Sequence, residues 1–217
     1  DLFTTWIDYI GAGAGSDTLK NIFDKKIFDY PKPTELITHF MKMANLENGD
    51  IVLDFFSGSA TTAHAVMQLN AEDDGNRKFI MVQLPELCPE DSEAYKAGFK
   101  NICEIGKERI RRAGDKIVSE TGKNIDIGFK VFKLDSSNLI KWDSTPTTDT
   151  QELIQRIKDS LVYLVEGRTD EDLIYEIMLK SGNMLADKVT ELQYCSITAY
   201  KVEGIFNSLI CLQSNIN

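Results

Sequence analysis

Apolar residues return along the chain at two spacings, and the alternation between them predicts an α/β protein. From Thr34 to Leu46 the positions Leu36, Ile37, Phe40, Met41 and Ala44 recur at helical spacing, just after Pro31 and Pro33, which favour an extended approach and a helix start. Gly49-Asp50 punctuates the chain before Ile51-Val52-Leu53, a short run rich in β-branched residues that reads as a buried parallel strand. A Gly/Ser turn follows, then a helical pattern from Thr62 to Leu69 and a break at Asp73-Asp74-Gly75-Asn76. A second strand is predicted from Phe79 to Leu84. Strand, helix, strand is the repeating unit of open parallel sheets. Further on, Ser92 to Val118 is predicted mostly helical, and Gly128 to Leu134 a third strand.

The two ends read differently. Residues 1–28 look like a connector, in which the small-residue run Gly11 to Gly15 precedes a short helical pattern (Leu19, Ile22, Phe23) able to dock on the main body. Between Asn138 and Thr150 the chain turns polar, with the composition of a surface linker. The expected division is a larger α/β part over residues 1–140 and a smaller α+β region over residues 141–217. In the latter, Leu153, Ile154, Ile157, Leu161, Leu164 and Val165 mark one helix. Leu173, Ile174, Ile177 and Met178 mark another, with a capping start at Thr169 to Asp172. Tyr194 to Val202 and Ile205 to Leu212, joined near Glu203-Gly204, pattern as a β-hairpin.

Composition narrows the function classes. With 217 residues, 42% hydrophobic and 27% charged, the chain can bury a core and has no apolar run near the roughly 20 residues that a spanning helix needs. No signal-peptide pattern opens it, so a cytoplasmic protein is expected, without membrane contact. The first residue is not Met and the chain starts in a patterned aromatic stretch (Phe3, Trp6, Tyr9), which predicts a piece of a longer protein. A net charge of −10 opposes DNA binding by this chain alone, because phosphate contacts need Lys and Arg. Lys107, Arg109, Arg111, Arg112 and Lys116 share a helix with Glu104, Glu108 and Asp115 and read as a solvated mixed-charge face. The scattered Cys88, Cys103, Cys195 and Cys211, with His39 and His64, have neither zinc-site spacing nor a disulfide framework, and the cysteines read as small buried apolar residues. Both histidines read as packing or capping residues.

The segment richest in chemistry is Val52-Leu53-Asp54-Phe55-Phe56-Ser57-Gly58-Ser59-Ala60-Thr61-Thr62. A hydrophobic strand here delivers an acid, two aromatics and a tight small-residue turn into a helix. In open α/β sheets, ligands bind beyond the carboxyl ends of the strands, where this turn would lie. Neither G-x-G-x-x-G nor the P-loop pattern is satisfied, which sets a nucleotide-dependent oxidoreductase aside. A cofactor with a carboxylate, an ammonium, a ribose and a sulfonium fits better, with Phe55 or Phe56 facing the sulfonium. The plainer alternative is that these aromatics cap the core at a strand end.

Three segments in order carry a resemblance: Phe28-Asp29-Tyr30-Pro31-Lys32-Pro33, the Asp54 turn, and Arg77-Lys78-Phe79-Ile80-Met81-Val82-Gln83-Leu84-Pro85-Glu86. With Gly128 to Asn138 and Glu166 to Leu173, they resemble the modification (Mod) subunit of type III restriction-modification systems, the three being similar to motifs X, I and II of amino-methyltransferases. The resemblance implies a partial Rossmann-like S-adenosylmethionine-dependent methyltransferase sheet and methylation of adenine N6 in DNA. Tyr30, Pro31, Lys32 and Pro33, with Asp54, Phe55, Phe56, Ser57, Gly58, Ser59, Ala60 and Thr61, would then hold the methionine moiety. Gln83, Pro85 and Glu86 would approach ribose and adenine. Lys32 is a candidate partner for the cofactor carboxylate, with an exposed solvated lysine as the alternative. The sequence departs from the family at Ala60, where a second glycine is usual, and at Gln83, where many relatives carry a carboxylate; Glu86 could supply the acid instead.

The resemblance also implies a homodimer, a restriction (Res) subunit as partner, and DNA binding by the whole enzyme. The prolines, Pro31, Pro33, Pro85, Pro89 and Pro146, are all isolated, so the Pro-Pro motif that holds the target amine is not in this sequence. No catalytic residue is therefore assigned, and the chain alone is expected to be inactive, because methyl transfer depends on positioning of the amine. An assembly module with a vestigial cofactor site is the alternative of another class.

Overall fold

The structure, a computed structural model, describes residues 10–11, 13–159 and 164–213. The described residues fall into two compact units, one up to Phe129 and one from Lys130 onward. The first holds α1 (Ala14–Phe23), α2 (Thr34–Met43), β1 (Ile51–Asp54), α3 (Thr61–Asp73), β2 (Lys78–Met81), α4 (Glu93–Lys96) and α5 (Ile102–Thr121). β1 and β2 pair in parallel, with Ile51 opposite Lys78 and Asp54 opposite Met81, so both strands end at the same edge. This is the expected strand, helix, strand unit.

α3 is buried along nearly its whole length and packs against α2, α5 and both strands. That burial matches its sequence, which is apolar or small on every side (Ala63, Ala65, Val66, Met67, Leu69, Ala71), the mark of a central helix. The helix ends at a locked corner. The Arg77 N–H donates to Asn70 Oδ1 at 3.0 Å, the Asn70 amide donates to the Arg77 carbonyl at 2.9 Å, and the Arg77 guanidinium pairs with Asp73 and donates to the Leu46 carbonyl.

Three expectations are corrected. α1 docks on the main body as its pattern allowed, but as part of the core rather than as a connector: Leu19, Ile22 and Phe23 are buried with Ile105, Ile110 and Ala113. The start of α1 also lies directly against the Pro31 carbonyl, where a Cβ on Gly15 would collide. The β1–β2 sheet is buried on one face only: Val52, Phe79 and Met81 pack inward, whereas Ile51, Leu53, Ile80 and Val82 are exposed. Gly128 to Leu134 forms no strand. Its alternation begins at Ile125, where Ile125, Ile127 and Phe129 pack one side of an extended chain on the core, and no strand among the described residues pairs with it. Ser92 to Val118 is mostly helical, as expected, in two pieces: between α4 and α5 Gly98 takes φ 97°, and Asn101 caps α5 by accepting the Glu104 N–H.

The second unit holds α6 (Thr150–Asp159), α7 (Asp170–Lys180) and an antiparallel meander of β3 (Lys188–Tyr194), β4 (Ile197–Glu203) and β5 (Ser208–Ile210). α7 starts with the expected capping box between Thr169 and Asp172. The expected hairpin exists as β4 and β5, but β3 adds a strand that the pattern did not reveal, and Cys195, in the tight turn between β3 and β4, is exposed rather than buried. Leu161 lies outside the described residues. Gly128 to Asn138 and Glu166 to Leu173 are the two further segments that carried the resemblance. They meet here through Asp135 and Arg168, paired at 2.8 Å, and through the Asn138 amide donating to the Asp172 carbonyl. The Arg168 hydrogen bond holds the Asp135 carboxyl down at about 2. No helix among the described residues is long and apolar enough to cross a membrane.

Candidate functional site

The site is built at the common end of β1 and β2. The ladder runs on past the strands: the Val82 N–H donates to the Asp54 carbonyl at 2.8 Å, and the Ser57 N–H to the Val82 carbonyl at 3.1 Å. Asp54 then turns the chain. One of its carboxylate oxygens accepts the Phe56 N–H at 3.1 Å and the other accepts the Thr62 hydroxyl at 2.6 Å, so one side chain fixes both the bend and the first turn of α3. Gly58 and Ala60 both take left-handed backbone conformations, with φ 51° and 59°. For Ala60 this costs about 1–2 kcal/mol relative to glycine. Its methyl is fully buried against Gly106 of α5, which offsets part of that cost.

All three motif segments converge on Gly58. Its N–H donates to Gln83 Oε1 at 2.7 Å, and the position a Cβ would occupy lies 3.5 Å from the Phe28 ring. The Gln83 side-chain amide, foreseen as a partner for a ribose hydroxyl, thus ties the end of β2 to the turn through its oxygen. Pro31 is buried, Pro33 leads into α2 in an extended conformation, and Lys32 and Tyr30 are exposed, Tyr30 at 88%. Pro85 and Glu86 stand exposed beyond β2, where the Glu86 carbonyl accepts the Ile102 N–H of α5 at 3.0 Å. Phe55 and Phe56 sit at the strand end, 61% and 81% exposed, with ring centroids 5.1 Å apart. They do not cap the core. Exposed aromatic rings beside a turn that carries a side-chain-free glycine suit a ligand that carries a cation.

The residue that the sequence did not single out lies beneath the turn. Arg109 of α5 is 0% exposed, and its guanidinium donates to Ser59 Oγ at 2.9 Å and Thr61 Oγ1 at 2.7 Å, with His64 Nδ1 at 3.5 Å. It is no part of a solvated face. Burial lowers its pKa to about 10, which leaves it charged at neutral pH. Burial, and then the Arg109 charge, push His64 down to about 3, so His64 is neutral and accepts from the arginine. A signal was available: Ile105, Arg109, Ala113 and Ile117 fall on one apolar stripe of α5, and Arg109 is the charged member of it.

A family model described as "DNA methylase" matches residues 2–113. The chain is 38% identical over 146 residues to the StyLTI Mod subunit of a type III restriction-modification enzyme from Salmonella typhimurium, covering 67% of this chain and 21% of that protein. It is 42% identical over 114 residues to the EcoPI Mod subunit of Escherichia phage P1, covering 52% of this chain and 18% of that protein. The type II methyltransferase M.KpnI of Klebsiella pneumoniae is 34% identical over 112 residues, covering 52% of this chain and 27% of that protein. The chain therefore spans 18 to 27% of the length of these relatives.

Proposed function

The chain belongs to the DNA methylase family, and from that membership we propose that it is the S-adenosylmethionine-binding part of a DNA adenine-N6 methyltransferase of a type III restriction-modification system. The convergence of Phe28, Gly58 and Gln83 carries the reading, because it assembles three sequence-separate segments around one backbone position at the end of a parallel sheet. Tyr30 to Pro33 and the turn from Asp54 to Thr61 would receive the methionine moiety, with Phe55 or Phe56 against the sulfonium. Gln83, Pro85 and Glu86 would approach ribose and adenine, with the exposed Glu86 as an acceptor for the ribose hydroxyls and Gln83 Oε1 holding the turn with one of its two lone pairs. The bound cofactor supplies the methyl group.

The sequence contains no adjacent prolines, so the loop that holds the target amine is not among these residues, and this chain by itself would bind cofactor without turnover. The whole enzyme would be cytoplasmic, bind DNA, form a homodimer and partner with a restriction (Res) subunit. The test is isothermal titration with S-adenosylmethionine and, separately, NAD, repeated with Phe56→Ala and Asp54→Ala. Binding of S-adenosylmethionine alone, weakened at least about tenfold by Phe56→Ala, supports the reading, a loss on the scale of one cation–π contact. A folded sample that binds neither ligand contradicts it. The exposed apolar face with Leu53, Ile80 and Val82 favours a second reading, an assembly module with a vestigial site. Tight binding to a restriction subunit without cofactor binding would support that one.

A further inference from the structure

We propose that Arg109 is a positioning residue of this site, and that its uncompensated charge makes the turn from Ser57 to Thr61 select a ligand that carries a carboxylate. The inference rests on the cofactor reading above and goes beyond it to a residue outside the three motifs. All the guanidinium's acceptors are neutral: Ser59 Oγ, the more distant Ser59 carbonyl, Thr61 Oγ1 and His64 Nδ1. Among the described residues no carboxylate pairs with it, and Nε has no hydrogen-bond partner. Burial of an unpaired cation opposes folding, and an apolar residue of similar volume would serve packing better. What the arginine adds is charge and a planar fork, which holds Ser59 and Thr61 together.

That charge lies where other dipoles point the same way. The turn forms the N-terminus of α3, whose unpaired N–H groups carry partial positive charge. The Asp54 carboxylate is an opposing charge at the turn, but its oxygens accept the Phe56 N–H and the Thr62 hydroxyl and are not paired with Arg109. His64 is neutral and adds no charge of its own. Gly106, one turn earlier on α5, lies under the same turn, where a Cβ would sit in ordinary contact 3.5 Å from the Gly58 carbonyl oxygen, so α5 runs directly beneath it and Arg109 reaches the turn from below. A buried charge is screened little by salt, so a carboxylate bound above this turn would feel it across the backbone.

The experiment measures affinity for S-adenosylmethionine and for its decarboxylated analogue with the unsubstituted chain, Arg109→Lys and Arg109→Met. Methionine fills the volume without the charge. The unsubstituted chain should prefer the carboxylated ligand by about tenfold, an effect of the size of one partly solvated charge pair. Arg109→Lys should keep most of that preference, and Arg109→Met should lose it while retaining affinity for the analogue. A preference unchanged in a folded Arg109→Met chain overturns the inference and leaves the cofactor reading standing. Failure of the unsubstituted chain to bind either ligand sinks both. If Arg109→Met does not fold, Arg109→Gln takes its place, and an unsubstituted chain with no preference still overturns the proposal.

Discussion

The two sides of the Asp54 turn are built to opposite rules. Underneath, Ser57, Ser59, Ala60 and Thr61 are buried and tied by side chains from three elements: Asp54 of β1, Thr62 of α3 and Arg109 of α5. Above, Phe55, Phe56 and Tyr30 stand in solvent, and the adjoining face of the β1–β2 sheet is exposed as well. A fold that needed these residues only for its own stability would cover the aromatics and leave the hydroxyls outside. The inversion is what the proposed cofactor site would require, a surface held rigid from below so that a ligand can be placed on it from above.

Changes on the lower side should therefore cost stability, and changes on the upper side binding. The largest expected effect is Arg109→Ala, which opens a cavity and strands two hydroxyls, and should lower unfolding free energy by about 3 kcal/mol in urea titrations. Next comes pH. His64 has a folded pKa of about 3 against an ordinary value of 6.5, so the unfolded chain binds more protons between those limits. Its contribution is complete above pH 6.5 and is lost as pH falls toward 3, at up to about 1.4 kcal/mol per pH unit. Urea midpoints measured from pH 7 to 5 should fall, and His64→Gln should flatten the slope; an unchanged slope would remove His64 from the account.

Gly15→Ala sets two effects against each other. Helix propensity favours alanine by about 1 kcal/mol, but the Pro31 carbonyl stands where the new methyl would go, and overpacking of about 1–3 kcal/mol should win. A lowered melting temperature is expected, and a raised one would mean that α1 can shift. Thr62→Val, which removes the hydroxyl that Asp54 accepts, should cost about 1 kcal/mol in the same assay. On the upper side, Phe56→Ser should change stability by no more than about 0.5 kcal/mol, the usual range for an exposed position.

Local pattern sufficed for β1, α3 and β2, because each is a short apolar run bounded by residues that force a break, such as Gly49-Asp50 and Asp73 to Asn76. The turn itself was legible for the same reason. Where pattern failed, the deciding partner was distant in sequence. Ile125, Ile127 and Phe129 alternate as a strand would, yet among the described residues no second strand lies beside them and the helical core takes one side instead. β3 carries alternating burial too weak to separate it from loop until β4 pairs with it. Arg109 looked like one more solvated charge, because its partners Ser59 and Thr61 precede it by 50 and 48 residues. Ala60 runs the other way: the departure from a glycine was visible in sequence, but the buried contact with Gly106 that accommodates it was not.

The most direct test of the central claim is amide hydrogen exchange of the unsubstituted chain, followed peptide by peptide with and without saturating S-adenosylmethionine. The account predicts added protection over residues 28–34, 54–61 and 83–87, with residues 130–213 unchanged. Protection confined to the second unit, or none anywhere in a folded chain, would contradict it.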